Sequence, residues 1–89
     1  IKPGNYQAKN NLAVIATLMG DYELARNLLV ELLEAEPGNP ELLTNAGFLF
    51  YELGDLEQAR NYADLALQYY PGFQKALQLQ TQCQHPLPE

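Results

Sequence analysis

Apolar side chains recur along this chain at spacings of three and four residues, which places them on one face of a helix. Five such stretches follow one another, and the content of β-branched residues is too low to favour a strand. The pattern therefore predicts an all-α chain. The apolar sets run from Leu12 to Met19, from Leu24 to Leu33, from Leu42 to Leu53 and from Leu56 to Leu67, and the fifth helix from about Phe73 to Gln84.

The chain also contains an internal repeat with a period of 34 residues. Pro3, Pro37 and Pro71 are each followed by glycine and lie 34 residues apart. The segment GDYELARN at 20–27 returns in the same register as GDLEQARN at 54–61. A set of matches at one offset is typical of repeat proteins, whose units stack side by side. Each period holds two of the predicted helices.

Glycine, proline and acidic residues mark the ends of the helices within each period. Gly54 interrupts the apolar pattern, and Asp55 is suited to cap the helix that follows. Pro40 suits the first turn of a helix, and Glu41 suits its positive end. The Pro-Gly pairs end a helix, because proline cannot continue the hydrogen-bond ladder and glycine accepts a turn. The first helix is predicted from about Tyr6 to Met19.

Large, small and aromatic residues at fixed positions of the period resemble the tetratricopeptide repeat family. Small residues such as Ala25 and Gly47 would let antiparallel helices approach closely. Lys9 departs from the family pattern, and Ala63 stands where an aromatic residue is expected. The positions that carry the resemblance are Leu12, Ala13, Ala16, Ala25, Leu29 and Pro37 in the first period, and Leu43, Ala46, Gly47, Phe50, Ala59, Ala63 and Pro71 in the second.

The resemblance implies a right-handed superhelix of antiparallel helix pairs. It divides the chain into one repeat at 6–39, a second at 40–73 and a capping helix at 74–84. The glutamines of the third segment favour a cap, since terminal repeats need a polar outer face. Residues 1–5 are then the end of a truncated upstream repeat, and residues 85–89 a disordered tail.

Charge and composition exclude several classes of function. The chain has a formal net charge of −6 and only five scattered basic residues, which offer no patch for phosphates. Nucleic acid is therefore not an expected partner. No apolar run approaches the roughly 20 residues that a membrane helix needs. The single cysteine, Cys83, excludes an internal disulfide, and the compartment stays open between cytoplasm and periplasm.

The residue types that carry catalysis or bind metal are sparse. His85 is the only histidine and precedes a proline in the predicted tail. Cys83 has no cationic neighbour apart from His85 to lower its pKa, so a half-buried structural thiol is expected. The cluster Glu31, Glu34 and Glu36 lacks the loop of a calcium site and fits a solvated helix face. We therefore expect no catalytic residue, no metal and no cofactor, and predict that the chain is not an enzyme.

The resemblance implies that the first helix of each repeat lines a concave groove for an extended peptide or a partner's helix. Asn11 and Asn45 would suit a peptide backbone, since an amide both donates and accepts. Phe48 would anchor an apolar side chain, unless it packs between repeats. The residues that this assigns to partner binding are Asn10, Asn11, Val14, Asn45, Phe48 and Glu52, with Thr17, Glu41, Thr44, Lys75 and Gln78 on the same face.

Two narrower resemblances within the family can be compared with the sequence, and the sequence disfavours one and supports the other. The repeats that grip a carboxylate terminus need basic and amide residues where Asn10, Val14 and Leu79 stand, which disfavours such a clamp. The openings NNLAV and NAGFL, from Asn10 and Asn45, resemble bacterial repeat proteins of Tad/Flp-type pilus assembly. The predicted function is a protein-interaction module, with a bacterial assembly such as pilus biogenesis as its setting. The alternative is a structural spacer or self-association unit without a peptide ligand.

Self-association is expected through the first helix. Repeat arrays bury their core between neighbours, and the first helix lacks the neighbour that would precede it. We therefore expect part of its apolar side, among Ala8, Leu12, Ile15 and Ala16, to face water. A weak homo-oligomer through this helix is the predicted consequence.

Overall fold

The chain folds into five α-helices in a computed structural model that describes residues 5–84. No strand occurs in this part of the chain, which confirms the all-α prediction. The predicted limits of the first helix are confirmed at both ends. The predictions for residues 1–4 and for the tail with His85 lie outside the described residues. The helices are α1 (Tyr6–Met19), α2 (Tyr22–Ala35), α3 (Pro40–Glu52), α4 (Leu56–Tyr69) and α5 (Gln74–Gln84).

Each Gly-Asp pair ends one helix and begins the next. Gly20 and Gly54 adopt φ values of 84° and 85°, which are favourable for glycine and costly for other residues. The carboxylate of Asp21 then accepts a hydrogen bond from the backbone N–H of Leu24, and Asp55 does the same for Gln58. The prediction that Asp55 caps a helix is confirmed. The two helices of a pair are therefore joined by a short, defined turn.

The connection between α2 and α3 is capped by Asn39. Its side-chain oxygen accepts hydrogen bonds from the backbone N–H groups of Glu41 and Leu42, at 2.9 and 3.3 Å. Pro40 occupies the first turn of α3, as predicted. The Asn39 amide also donates to the hydroxyl of Tyr6 at 2.6 Å, so the cap of α3 is linked to the start of α1.

Two apolar clusters form the core, one for each group of three consecutive helices. The first joins α1, α2 and α3, and the second joins α3, α4 and α5. Each cluster thus depends on a helix of the neighbouring pair, as expected of stacked repeats. The first contains Tyr6, Ala13, Ala16, Ala25, Leu29, Leu32, Leu42, Ala46 and Leu49, and the second Leu43, Ala59, Ala63, Ala66, Ala76, Leu79 and Cys83.

Gly47 lies where α3 closely approaches both α4 and α5. A Cβ atom at this position would lie 2.7 Å from Cδ2 of Leu79, 3.0 Å from the backbone oxygen of Ala59 and 3.1 Å from Cβ of Tyr62. The side chain of Ala25 is likewise fully buried. The expected need for a small residue is confirmed at Gly47, and at Ala25 it stays a prediction.

Part of the apolar side of α1 faces water, as predicted. Ala8, Leu12 and Ile15 are exposed, as expected. Ala16 is not, because it belongs to the first core cluster. The outward apolar face of α1 continues instead to Met19.

Candidate functional site

The first helices of successive pairs lie side by side and form one face of the molecule. α3 packs against both α1 and α5, while α2 and α4 pack behind them. The residues on this face follow the 34-residue period, since Val14, Phe48 and Gln82 occupy equivalent positions of α1, α3 and α5. Each of the three helices therefore contributes the residue at the same position of the period to this face.

A cavity of about 290 Å³ opens on this face between α1, α3 and α5. Val14, Phe48 and Leu79 make its apolar part. Polar side chains, which include the amides of Gln78 and Gln82, surround that part. The complete lining is Val14, Asn45, Phe48, Lys75, Gln78, Leu79 and Gln82.

Asn45 is held at this cavity by a hydrogen-bonded relay of side chains. Its amide nitrogen donates to the side-chain oxygen of Asn10 at 2.7 Å, and the amide of Asn10 donates to the carboxylate of Glu41. Asn10 is 3% exposed, so both of its polar atoms serve the fold. Asn45 therefore lines the cavity with its amide held in place by this relay.

The predicted site residues divide into three groups in the structure. Val14, Asn45 and Phe48 come together at the cavity, with Lys75 and Gln78. Asn11 and Glu52 are exposed but lie outside the lining, and the oxygen of Asn11 accepts from the amide of Gln7 at 3.0 Å. Asn10 is buried beside the cavity. Whether any of them contacts a partner stays a prediction.

Two threonines expected on this face are instead buried. The hydroxyl of Thr17 donates to the backbone oxygen of Ala13 at 2.9 Å, and that of Thr44 to Pro40 at 2.7 Å. Both bonds use the hydroxyl proton within the same helix, and the two residues are only 2% and 5% exposed, so neither side chain faces the groove. Their expected orientation toward the groove is therefore wrong.

Leu79 and Gln82 are the lining residues that the sequence interpretation did not include. The signal that identifies them is the period itself, since Leu79 is equivalent to Asn11 and Asn45, and Gln82 to Val14 and Phe48. The prediction treated α5 as a cap with a polar outer face. In the structure α5 has two roles, because it closes the second core cluster and also lines the cavity.

Phe48 belongs to neither core cluster and is not among the residues packed against them. It is partly buried at the cavity, between the periodic positions of Val14 and Gln82. Both the interpretation of Phe48 as an anchor for a partner and the alternative that it packs between repeats stay predictions. An aromatic ring in this position offers a large apolar surface to a side chain that enters from solvent.

A second, more open cleft adjoins this cavity at the start of α5. It has a volume of about 400 Å³ and shares Lys75 with the cavity. The rings of Tyr70 and Phe73 line it with their centroids 5.9 Å apart, and Glu41 lies on its other side. The cleft lies at a loop, whereas the cavity collects side chains from three helices. We therefore take the cavity as the candidate site and the cleft as its continuation.

Metal-binding side chains are not assembled within residues 5–84. No group of His, Cys, Asp or Glu side chains there could hold a metal ion. Cys83 is buried, and burial raises the pKa of its thiol, with Asp64 adding to the rise and Arg60 opposing it. The thiol is therefore a poor nucleophile. Among the described residues, no helix has the length and apolar character required to span a bilayer.

The fold and this face define a helical-repeat protein, in which stacked helix pairs present the first helix of each pair on one side. The family model described as tetratricopeptide repeat matches residues 16–83, which is more than half of the chain. The chain therefore belongs to the tetratricopeptide repeat family, a non-catalytic fold that generally mediates protein–protein interaction. No curated protein matches the chain significantly. The narrower likeness to pilus assembly proteins is not supported by these comparisons.

Proposed function

We propose that this chain binds a protein partner on the face formed by α1, α3 and α5, with the cavity around Phe48 as the main contact. The observation that carries the proposal is the convergence of Val14, Phe48 and Leu79, from three helices, on one solvent-open apolar cavity. An apolar cavity with a few polar groups at its rim is the usual form of a binding site. The proposal also treats 6–39 and 40–73 as the two repeats and 74–84 as the cap.

The lining specifies the chemistry of the partner. An apolar side chain fits between Val14, Phe48 and Leu79, while the oxygen of Asn45 can accept from a backbone N–H of the same segment. Lys75 is the single charged residue of the lining. The partner is therefore a mostly uncharged, extended or helical segment with one apolar anchor. The net charge of −6 disfavours a strongly acidic segment, and the lining offers no clamp for a terminal carboxylate.

The test is a selection of peptides from a random displayed library on the intact chain. Peptides that bind the wild type should share an apolar anchor and should lose binding to Phe48→Glu, because the new carboxylate enters the apolar cavity. Val30→Glu is the matched control, since Val30 is an exposed apolar residue of α2 away from this face. Amide shifts on titration should appear at Asn45 and Phe48. Shifts confined to α2 and α4 would contradict binding in the groove.

The alternative, a spacer or self-association unit without a peptide ligand, is favoured by a different observation, the exposed apolar side of α1. It predicts that no selected peptide distinguishes the wild type from Phe48→Glu. The support for a setting in pilus assembly is limited to the two short sequence openings NNLAV and NAGFL. The proposed binding mode does not depend on that setting.

A further inference from the structure

The cleft at the start of α5 has an equivalent one period earlier, and there a side chain of the protein fills it. Tyr6, the first residue of α1, is 6% exposed and belongs to the first core cluster. Its hydroxyl accepts a hydrogen bond from the amide of Asn39 at 2.6 Å and lies near the carboxylates of Glu36 and Glu41. A tyrosine side chain therefore occupies the space beside the connection between α2 and α3.

In the next period the equivalent space has no such tyrosine. The first residue of α3, equivalent to Tyr6, is Pro40, whose side chain is a small ring closed onto its own backbone. The three residues around the Tyr6 hydroxyl correspond, 34 residues later, to Tyr70, Phe73 and Lys75. All three line the cleft of about 400 Å³. The cleft is therefore the space that a tyrosine fills in the first period and that a proline leaves open in the second.

The lining of the cleft suits an aromatic side chain with a hydroxyl group. The rings of Tyr70 and Phe73 have centroids 5.9 Å apart and planes inclined by 51°, so a third ring can pack against both. Glu41 and Lys75 add one carboxylate and one ammonium group, whose charges cancel. A hydroxyl suits this pair, because it can donate to the carboxylate and accept from the ammonium group. A charged side chain would instead meet a like charge.

We propose that this cleft is a second subsite for the protein partner and that it takes a tyrosine side chain of the partner. The inference rests on the proposed function, because it extends the segment bound at Phe48 into the adjoining cleft. Lys75 lines both, so the two sites are continuous. Within the described residues nothing lies within 4 Å of a Cβ atom at Gly72, which leaves the cleft open on that side. The partner segment therefore carries an apolar anchor and a tyrosine.

The stability of two variants tests whether the cleft accepts a tyrosine. Pro40→Tyr places a tyrosine where α1 has one, and Pro40→Ala is the matched control that removes the proline without adding a ring. Pro40→Tyr should have the higher melting temperature, because its ring is buried against Tyr70 and Phe73. Helix propensity alone gives the opposite order, since alanine is the better helix former. Equal melting temperatures, or a lower one for Pro40→Tyr, would overturn the proposal.

Peptide binding tests whether a partner uses the cleft. Peptides selected on the wild type should carry a tyrosine at a constant sequence distance from the apolar anchor. Replacement of that tyrosine by alanine should weaken binding to the wild type and to Pro40→Ala by about tenfold. The same replacement should have no effect on binding to Pro40→Tyr, because the ring of that variant already fills the cleft.

The pattern of failure separates this inference from the proposed function. Peptides that require Phe48 but share no tyrosine, or that bind Pro40→Tyr and Pro40→Ala equally well, would overturn the subsite and leave the proposed function in place. Peptides that bind the wild type and Phe48→Glu equally well would overturn the proposed function, and with it the inference that rests on it.

Discussion

The side-chain amide of Asn45 donates a 2.7 Å hydrogen bond to the side-chain oxygen of Asn10, and this bond joins equivalent helices of two successive pairs. Asn10 in turn donates to the carboxylate of Glu41. The relay therefore fixes the amide of Asn45, which lines the cavity. A structural contact between the pairs thus also positions a candidate binding residue.

Asn10→Ala should therefore lower the free energy of unfolding by about 1–3 kcal/mol, because the buried amide of Asn45 loses its acceptor. Asn11→Ala is the control, since Asn11 is exposed, and should change stability by less than about 0.5 kcal/mol. Urea denaturation measures both. In the double variant Asn10→Ala, Asn45→Ala the two losses should be clearly less than additive. Additive losses would show that the two amides do not interact.

Gly47→Ala should destabilise the chain by about 1–3 kcal/mol, because the added Cβ would lie 3.0 Å from the backbone oxygen of Ala59, which cannot rotate away. Gly72→Ala should be neutral or slightly stabilising, since nothing lies within 4 Å of a Cβ at that position. Thermal unfolding of the two variants gives the comparison. Ala25→Leu should also lower the melting temperature, because Ala25 is fully buried. An unchanged melting temperature of Gly47→Ala would contradict the close approach of α3 and α4.

Tyr6 should make stability fall at high pH. Burial raises the pKa of its hydroxyl above 10.0, with the carboxylates of Glu36 and Glu41 adding to the rise and the hydrogen bond from Asn39 opposing it. The folded chain therefore holds this proton more tightly than the unfolded chain. The raised pKa of Tyr6 therefore adds to the free energy of unfolding. This contribution is complete below pH 10 and is lost as the pH rises through the pKa of Tyr6 in the folded chain.

Urea denaturation between about pH 8 and pH 11.5 should show a steeper decline for the wild type than for Tyr6→Phe, which has no proton to lose. Tyr6→Phe also removes the hydrogen bond to Asn39. The loss of this bond lowers the stability of the variant by a similar amount at each pH, so it does not account for a difference in slope. The comparison of slopes therefore isolates the ionisation. Parallel curves for the two proteins would contradict the prediction.

Cys83 should react slowly with a thiol reagent in the folded chain and rapidly after unfolding. Its side chain is buried beside α4, and burial raises the pKa of the thiol, so both access and the thiolate fraction are reduced. A Thr81→Cys variant in a Cys83→Ser background is the control, because Thr81 lies on the exposed side of the same helix. Its thiol should react at the rate of a free cysteine. Equal rates at positions 81 and 83 would show that α5 does not stay packed on α4.

Local signals in the sequence specify the helices and their repetition. The limits of α1, the Gly-Asp turns and the first turn at Pro40 depend on interactions within a few residues, such as caps and left-handed glycines, which local chemistry specifies. The same holds for the 34-residue period, because equivalent residues keep the same role in each pair. These features needed no knowledge of how the pairs stack.

Which side of each helix is covered depends on how the helices pack against one another. Asn10 and Asn11 are neighbours and were both assigned to the groove, yet one is buried in a relay with α3 and the other is exposed. Ala16 and Thr17 proved buried for a similar reason. Neighbours differ in direction by about 100° around a helix, so the position of the next helix decides which of them meets solvent. That position depends on contacts between residues far apart in the chain, such as the hydrogen bond from Asn45 to Asn10, 35 residues away, which no local signal specifies.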